Sequence, residues 1–377
     1  MNFSAVWLAI APAIFISLLL FTAIILFYYL FFFSRLATYK SKPKASSTTH
    51  PVSVVICARD EAQNLAKNLP GVFLQQYPST HEVVVVNDNS FDDSKYVLEE
   101  YYRTHKQLHI IELAQEAKLI PGKKFPLSVG IKSAKYELLL LTDADCVPAS
   151  EHWIQSMQSA YGPNTEIVLG YGPYFRQKTL LNKLVRWETF HTALQYMSYA
   201  LAGIPYMGVG RNLSYRKTVF FRHKGFSAHN NILGGDDDLF INKAATASNT
   251  AINTDPGSYT LSVPPTSWKQ WRRQKARHYS TAKYYKPLHK FLLGMYGFAN
   301  VVFWPLLIAT LFSNFWMEGL IVLAIKWIVQ MVVLFFSARN LNEQDLVPFF
   351  PILDLWQFVY HLIFFPSLFK KPVQSWK

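Results

Sequence analysis

The sequence predicts an α/β domain built on a parallel sheet and set between hydrophobic segments of membrane-spanning length, and three observations predict it. Short β-branched runs alternate with stretches of helical length between Val52 and Asp143. Polar or acidic residues terminate most of those runs, and long apolar blocks stand near both ends of the chain. Among the 377 residues 51% are hydrophobic and 16% aromatic, a share high enough that part of the surface is expected to meet lipid.

The first element is an almost wholly apolar run, Ala5 to Phe33, longer than the roughly 20 residues that cross a bilayer core. With no small-residue cleavage site after it, it reads as a retained anchor over residues 1–34. Arg35, Lys40, Lys42 and Lys44 follow it and no basic residue precedes it, which places the next domain on the cytoplasmic side of a cytoplasmic or inner membrane. A polar Lys/Ser/Thr-rich tether occupies 35–50. In the following domain, 51–285, VSVVICA (52–58), EVVVVND (82–88), HIIEL (109–113) and ELLLLTD (137–143) read as buried strands. Near-continuous apolar strands alternating with helices imply a parallel sheet, whose ligands gather at the carboxyl ends of the strands.

Residues 286–377 carry two further long apolar blocks, LLGMYGFANVVFWPLLIATLF and GLIVLAIKWIVQMVVLFF, which read as a transmembrane hairpin. A shorter stretch, Leu353 to Phe365, precedes Lys370 and Lys371; full crossing would put those lysines outside, so three and four spans both stay open. Lys326 reads as standing alone in the second of these long blocks, and the paired intramembrane charges of a transporter are not expected. The formal charge of +13 points to an anionic surface or a polyphosphate. Its basic residues cluster near the membrane segments and do not track a groove, so no nucleic-acid partner is expected. Cys57 and Cys146 lack any metal-ligand spacing, which excludes a disulfide framework and a structural zinc site.

The chemistry gathers at strand ends. TDADC sets Asp143 and Asp145 two apart after an apolar strand, where alternate carboxylates converge on one Mg²⁺ or Mn²⁺ shared with substrate phosphates. An isolated pair of this kind is commonly a solvated acidic turn, so its context decides. Asp88 ends another strand and is suited to accept hydrogen bonds from a base or ribose, and Glu61 lies just beyond the first strand in ARDEAQNL, which starts at Ala58. Lys123 and Lys124 follow a Pro-Gly turn from which they can approach a phosphate. On a helix, Gln274 and Arg277 of WKQWRRQKARHYS share a face, while Trp268, Trp271, Arg272 and Arg273 suit a membrane interface.

In order and spacing these features resemble the family-two glycosyltransferases, over about residues 52–285. The resemblance implies a GT-A, Rossmann-like nucleotide-sugar-binding domain, with one N-terminal and two to three C-terminal membrane helices. It carries over onto Ala58 and Glu61 at the first strand, Asp88 at the second, Lys123 with Leu127 and Gly130, Asp143 and Asp145, and the acidic cluster of GGDDDLF. There it implies a catalytic base, which is Asp237 in one register and Asp236 or Asp238 one residue either way. Three consecutive carboxylates repel one another, and a raised pKa among them suits a base. Gln274, Arg277 and His278 resemble the Q-x-x-R-W signature with His in place of Trp; Arg277 is then expected on the diphosphate, and Trp271 or His278 beside the acceptor. Gly208 and Gly210 of YMGVGRNLSYRK are expected on the acceptor side or simply in a turn. The motif NDNS departs from the commoner Asp-Asp-Gly-Ser. The implied activity is inverting transfer from a UDP- or GDP-sugar to a lipid, lipid-linked or polysaccharide acceptor at the membrane. DLFINKA is similar to the ceramide glucosyltransferases, a processive polysaccharide synthase shares the same motifs, and a non-catalytic scaffold on this fold is the third alternative.

Overall fold

The computed structural model describes residues 3–40, 50–114 and 122–368. They divide into two compact units, one of residues 3–39 with 285–368 and one drawn from residues 40–284. The chain opens with helix α1 (Phe3–Phe27), which continues through a π-helical segment (Tyr28–Phe33) into α2 (Ser34–Ala37). The second unit then runs β1 (Val52–Ala58), α3 (Ala62–Phe73), β2 (His81–Asp88), α4 (Ser94–Thr104), β3 (Leu108–Leu113), α5 (Lys124–Ser133), β4 (Leu138–Asp143) and β5 (Cys146–Pro148). It continues with α6 (Trp153–Ser159), β6 (Ile167–Leu169), α7 (Leu180–Leu201), β7 (Leu213–Arg216), α8 (Lys217–Arg222), α9 (Asp238–Ala244), β8 (Thr250–Ile252), β9 (Thr260–Ser262) and α10 (Trp268–Tyr279). Helices α11 (Pro287–Leu311), α12 (Trp316–Asn340) and α13 (Phe350–Phe364) complete the first unit.

The main sheet has the order β3-β2-β1-β4-β7-β6-β8. The four strands expected from the sequence pair in parallel, β1 with β2 and β4, and β2 with β3. Beyond β4 the expectation of a parallel sheet fails, because β7 runs antiparallel to both β4 and β6. Strands β6, β7 and β8 are three or four residues long, too short to show a periodicity. Both faces of the parallel core are covered, which explains its continuous apolar runs. Val52, Val54, Ile56 and Ala58 of β1 pack with Leu65, Leu69, Val72 and Phe73 of α3 and Leu98 of α4. The alternate residues meet α5 so closely that a Cβ on Gly130 would lie 2.8 Å from Val55 Cγ1 and 2.9 Å from Val86 Cγ2. Gly130 lets the helix settle on the sheet, and each fully buried Val or Leu there contributes about 1.5–3 kcal/mol.

In the other unit, four helices among the described residues are long and apolar enough to cross a membrane: Ile10–Ala37, Pro287–Leu311, Trp316–Asn340 and Gln344–Ser367. The shortest has 24 residues, or about 36 Å at 1.5 Å per residue, against a core of about 30 Å. The last of them exceeds the apolar stretch read from sequence because a 3₁₀ segment, Gln344–Phe349, leads into α13 and another follows it from Phe365. Lys326 corrects a second expectation, since it does not stand alone: its Nζ lies 2.6 Å from Asp354 Oδ2 on α13. Trp327 Nε1 donates to the same oxygen at 3.0 Å, and Nζ sits 4.6 Å over the Phe303 ring. Asp354 stands in the shorter apolar stretch, 28 residues further on, and only the packing of two helices brings the pair together. Asn340 Nδ2 at the end of α12 donates to Leu36 O at 2.7 Å, which also accepts from Tyr39 N–H at 3.2 Å, and to Tyr39 O at 3.0 Å, fastening the end of the first helix to α12.

Candidate active site

Three strand ends build the first wall. Ala58 closes β1, fully buried, opposite Asn87 of β2. Just beyond, Asp60 and Asn89 turn the chain with φ of 52° and 57°, left-handed conformations that Asp and Asn tolerate. Asn89 therefore takes a backbone turn where the resembled motif carries glycine. The two loops are laced together: Asp60 N–H donates to Ser90 Oγ at 2.9 Å, Glu61 N–H to Ser94 Oγ at 3.0 Å, and Phe91 N–H to Asp60 Oδ1 at 2.8 Å. Asp92 accepts from Ala62 N–H at 2.9 Å and from Ser94 N–H at 3.0 Å, so one carboxylate caps the starts of α3 and α4 together. Glu61 accepts from Asn64 Nδ2, and Asp88 is completely buried.

Asp143 ends β4, Asp145 stands in the following turn, and Cys146 opens β5. Ligand atoms of these three side chains lie within 4.8 Å of one another. Burial would raise the Asp143 pKa, but Lys123, with Arg211 and Arg277 behind it, outweighs burial and holds it low. Asp145 is exposed to the cleft, yet the protein around its carboxylate desolvates it and the charge of Asp143 adds to that, so its pKa is raised. A pair of carboxylates that repel in this way, at least one of them open to solvent, fits a divalent cation with oxygen ligands. Lys123 forms an ion pair with Asp143 and is not left free for a phosphate. Lys124 departs further from expectation: it is fully buried and donates to His229 O at 2.6 Å and to Ile232 O. Gly122, with φ of 77°, packs so tightly on Leu233 O that a Cβ would come within 2.5 Å, which draws Lys124 beneath this loop. Burial pushes the Lys124 pKa down to about 8 against the charges of Asp236, Asp238 and Asp237.

The loop so anchored delivers the acidic cluster. Gly235, at φ of 92°, turns into it. Asp237 is the N-cap of α9; its carboxylate accepts from Asp238 N–H at 2.7 Å and from Gly210 N–H at 2.8 Å. Burial, then the charges of Asp236 and Asp238, push Asp237 up to about 8 despite these two donors. Asp238 is buried and accepts from Leu239 N–H at 2.7 Å and from Thr281 Oγ1. Asp236 is different: among the described residues no hydrogen bond holds its carboxylate. Its charge acts on Lys123, the ion-pair partner of Asp143, and on Cys57 of β1.

Helix α10 supplies the remaining side chains. Lys275 is buried in an ion pair with Glu188 of α7, which fixes the rotation of the helix. Gln274 Nε2 then reaches Tyr174 Oη at 3.1 Å, and the charge of Arg277 acts on Asp143. His278 is exposed, whereas Trp271, expected beside an acceptor, is only 2% exposed and meets Trp268 edge-on at 5.9 Å. It lies behind the helix because the Lys275–Glu188 pair turns that face inward. Gly208 is likewise a packing residue, since a Cβ there would lie 3.1 Å from both Leu169 Cδ2 and Leu213 Cδ1. Gly210 is placed by its hydrogen bond to Asp237.

Residues 53–224 match the family model described as Glycosyl transferase family 2. The domain is a family 2 glycosyl transferase. The chain is 24% identical over 237 residues to the probable glycosyltransferase YdaM of Bacillus subtilis, covering 60% of this chain and 54% of that protein. It is 31% identical over 127 residues to the glycosyltransferase AglE of Haloferax volcanii, 33% of this chain and 40% of that one. The matched region therefore spans about half or less of these curated relatives. Among solved structures, the mannosyltransferase PcManGT from Pyrobaculum calidifontis in complex with GDP-Man and Mn²⁺ is similar with a TM-score of 0.60, over 94% of this chain and 99% of that one, at 19% identity. That likeness shows a shared fold.

Within the family 2 domain, sequence reading missed Asp92, Tyr174 and Arg211. Asp92 carried a signal, an acid two residues before a helix. Tyr174 and Arg211 carried none, because their roles arise from contacts with residues 100 and 51 positions away.

Proposed function

We propose that this chain is a membrane-anchored, inverting glycosyltransferase that moves a sugar from a UDP- or GDP-sugar to a lipid or lipid-linked acceptor on the cytoplasmic face. The observation that carries this reading is the pair Asp143 and Asp145 at the carboxyl end of a parallel strand, with Lys123 between Asp143 and the charge of Asp236, a carboxylate that no hydrogen bond holds among the described residues. The donor and Mn²⁺ held by the similar mannosyltransferase are consistent with it. Mg²⁺ or Mn²⁺ bound by Asp145 and Asp143 would supply charge neutralisation for the departing diphosphate.

The chain's own residues account for the rest. Glu61 and Asp88 hold the nucleoside beside Ala58. Asp236 accepts the proton of the acceptor hydroxyl as that oxygen attacks the anomeric carbon from the face opposite the diphosphate, and one such displacement inverts the configuration. Asp237 keeps its proton near neutral pH, caps α9 and adds no second charge beside the base. Arg277 stabilises negative charge on the leaving diphosphate. A lipid acceptor is supported by the outer face of α10, where Trp268, Lys269, Arg272, Arg273 and Ala276 line a cavity of about 440 Å³, a basic and aromatic surface suited to anionic headgroups. The basic residues Arg35 and Lys40 after the first membrane-length helix support the cytoplasmic face.

Asp236→Asn tests the assignment of the base. Turnover is expected to fall about 10²- to 10⁴-fold with donor affinity unchanged. Full turnover in that variant, with loss in Asp237→Asn instead, would move the base to Asp237.

A further inference from the structure

We propose that Arg211 is a diphosphate-binding residue of the donor site, held in place by Tyr174 and, through Tyr174, by Gln274. This deepens the proposed function and rests on its nucleotide-sugar donor.

Arg211 is fixed at both ends. Its carbonyl accepts from Thr142 Oγ1 at 2.9 Å and from Thr260 Oγ1 at 2.7 Å, which ties its backbone to the strand ending in Asp143. Its guanidinium lies over the Tyr174 ring at 4.4 Å, and its Nη1 donates to Ser262 Oγ at 2.8 Å. Ser262 is the register partner of Cys146, the residue that follows Asp145. The guanidinium is thus brought to the edge of the acidic pair, and its charge acts on both Asp143 and Asp145. Among the described residues, however, no carboxylate lies within ion-pair distance of it. An arginine offers five N–H donors in a rigid fork. The Ser262 bond uses one of them, and the others remain uncommitted beside the position where the cation and the diphosphate would sit. Planar forks of this kind match phosphate oxygens, and a stacked ring that fixes the plane reduces the entropy lost on binding.

Tyr174 is 5% exposed, and its Oη is in contact with both amide atoms of Gln274, at 3.1 Å from Nε2 and 3.4 Å from Oε1. Gln274 is therefore a positioning residue, linking α10 to the donor site through the ring that carries Arg211. No step of this relay needs Gln274 to touch the substrate.

The test compares nucleoside diphosphates with the matching monophosphates, UDP with UMP and GDP with GMP, binding to the full chain in nanodiscs with Mn²⁺, by calorimetry. A hydrogen bond to a charged group contributes about 1.5–3 kcal/mol, so Arg211→Gln is expected to weaken diphosphate binding about ten- to hundredfold and leave monophosphate binding unchanged. Arg211→Lys should recover part of the loss. Tyr174→Phe, which keeps the ring and removes the Gln274 link, should give a smaller loss of the same selectivity. Equal loss for mono- and diphosphate would make Arg211 merely structural, and unchanged diphosphate binding in Arg211→Gln would refute the inference alone. A parent protein that binds neither UDP nor GDP would overturn the donor reading and this inference together.

Discussion

Replacing Asp237 by Asn separates the cap of α9 from its charge. The substitution keeps an acceptor for the Asp238 N–H, the capping bond, and Asn is as good a cap as Asp; it turns its amide nitrogen toward the Gly210 N–H, a cost that does not depend on pH. It removes a carboxyl that burial and its two acidic neighbours hold at about 8. A raised carboxyl pKa means the folded state binds the proton more tightly than the unfolded chain. The stability this contributes is complete below the ordinary value of 3.8 and is lost as pH rises toward about 8. Each pKa unit corresponds to about 1.4 kcal/mol, so the penalty near pH 8 is on the order of several kcal/mol, shared across the cluster. Relative to the parent, Asp237→Asn should therefore be at its least favourable below about pH 4 and gain progressively between about pH 4 and 8. Thermal unfolding of both proteins in the same detergent across that range reads the difference in Tm. A Tm difference that does not change with pH would refute the reasoning.

Two further outcomes follow from packing. Gly130→Ala forces a methyl against Val55 and Val86, β-branched side chains with little freedom to move, and should cost about 1–3 kcal/mol, visible as a lower Tm; an unchanged Tm would show that α5 shifts freely. Lys326→Met or Asp354→Leu alone leaves an uncompensated buried charge and should cost roughly 3–5 kcal/mol, whereas the double variant should regain most of it. Thermal unfolding checks this pair as well, and a double variant as damaged as the sum of the singles would mean the pair does not act as a unit.

What could be read from sequence was local. The run Val52–Ala58 is both strand and core because helices cover both its faces, and burial on two sides leaves a pattern no turn or loop shares. Asp143 and Asp145 were legible because a strand end and two-residue spacing determine where they point. The register of the acidic cluster was not, since three identical side chains in a row differ only in what they touch: Asp237 takes the cap, Asp238 turns inward, and Asp236 is left. Trp271 and Trp268 both suited an exposed face, and the Glu188 partner of Lys275, 87 positions earlier, decided between them. Lys326 with Asp354 and Arg211 with Tyr174 are long-range pairs of the same kind, set by tertiary packing alone.

Sugar transfer itself tests the central claim most directly. The full chain in nanodiscs, given labelled UDP- and GDP-sugars and total membrane lipid with Mn²⁺ or Mg²⁺, is expected to form a labelled product that extracts with lipid. That product should disappear with EDTA and in Asp145→Ala while the variant remains folded. Transfer that continues unchanged in both cases would contradict the metal-centred account, and labelled high-molecular-weight polymer in place of lipid would contradict the acceptor.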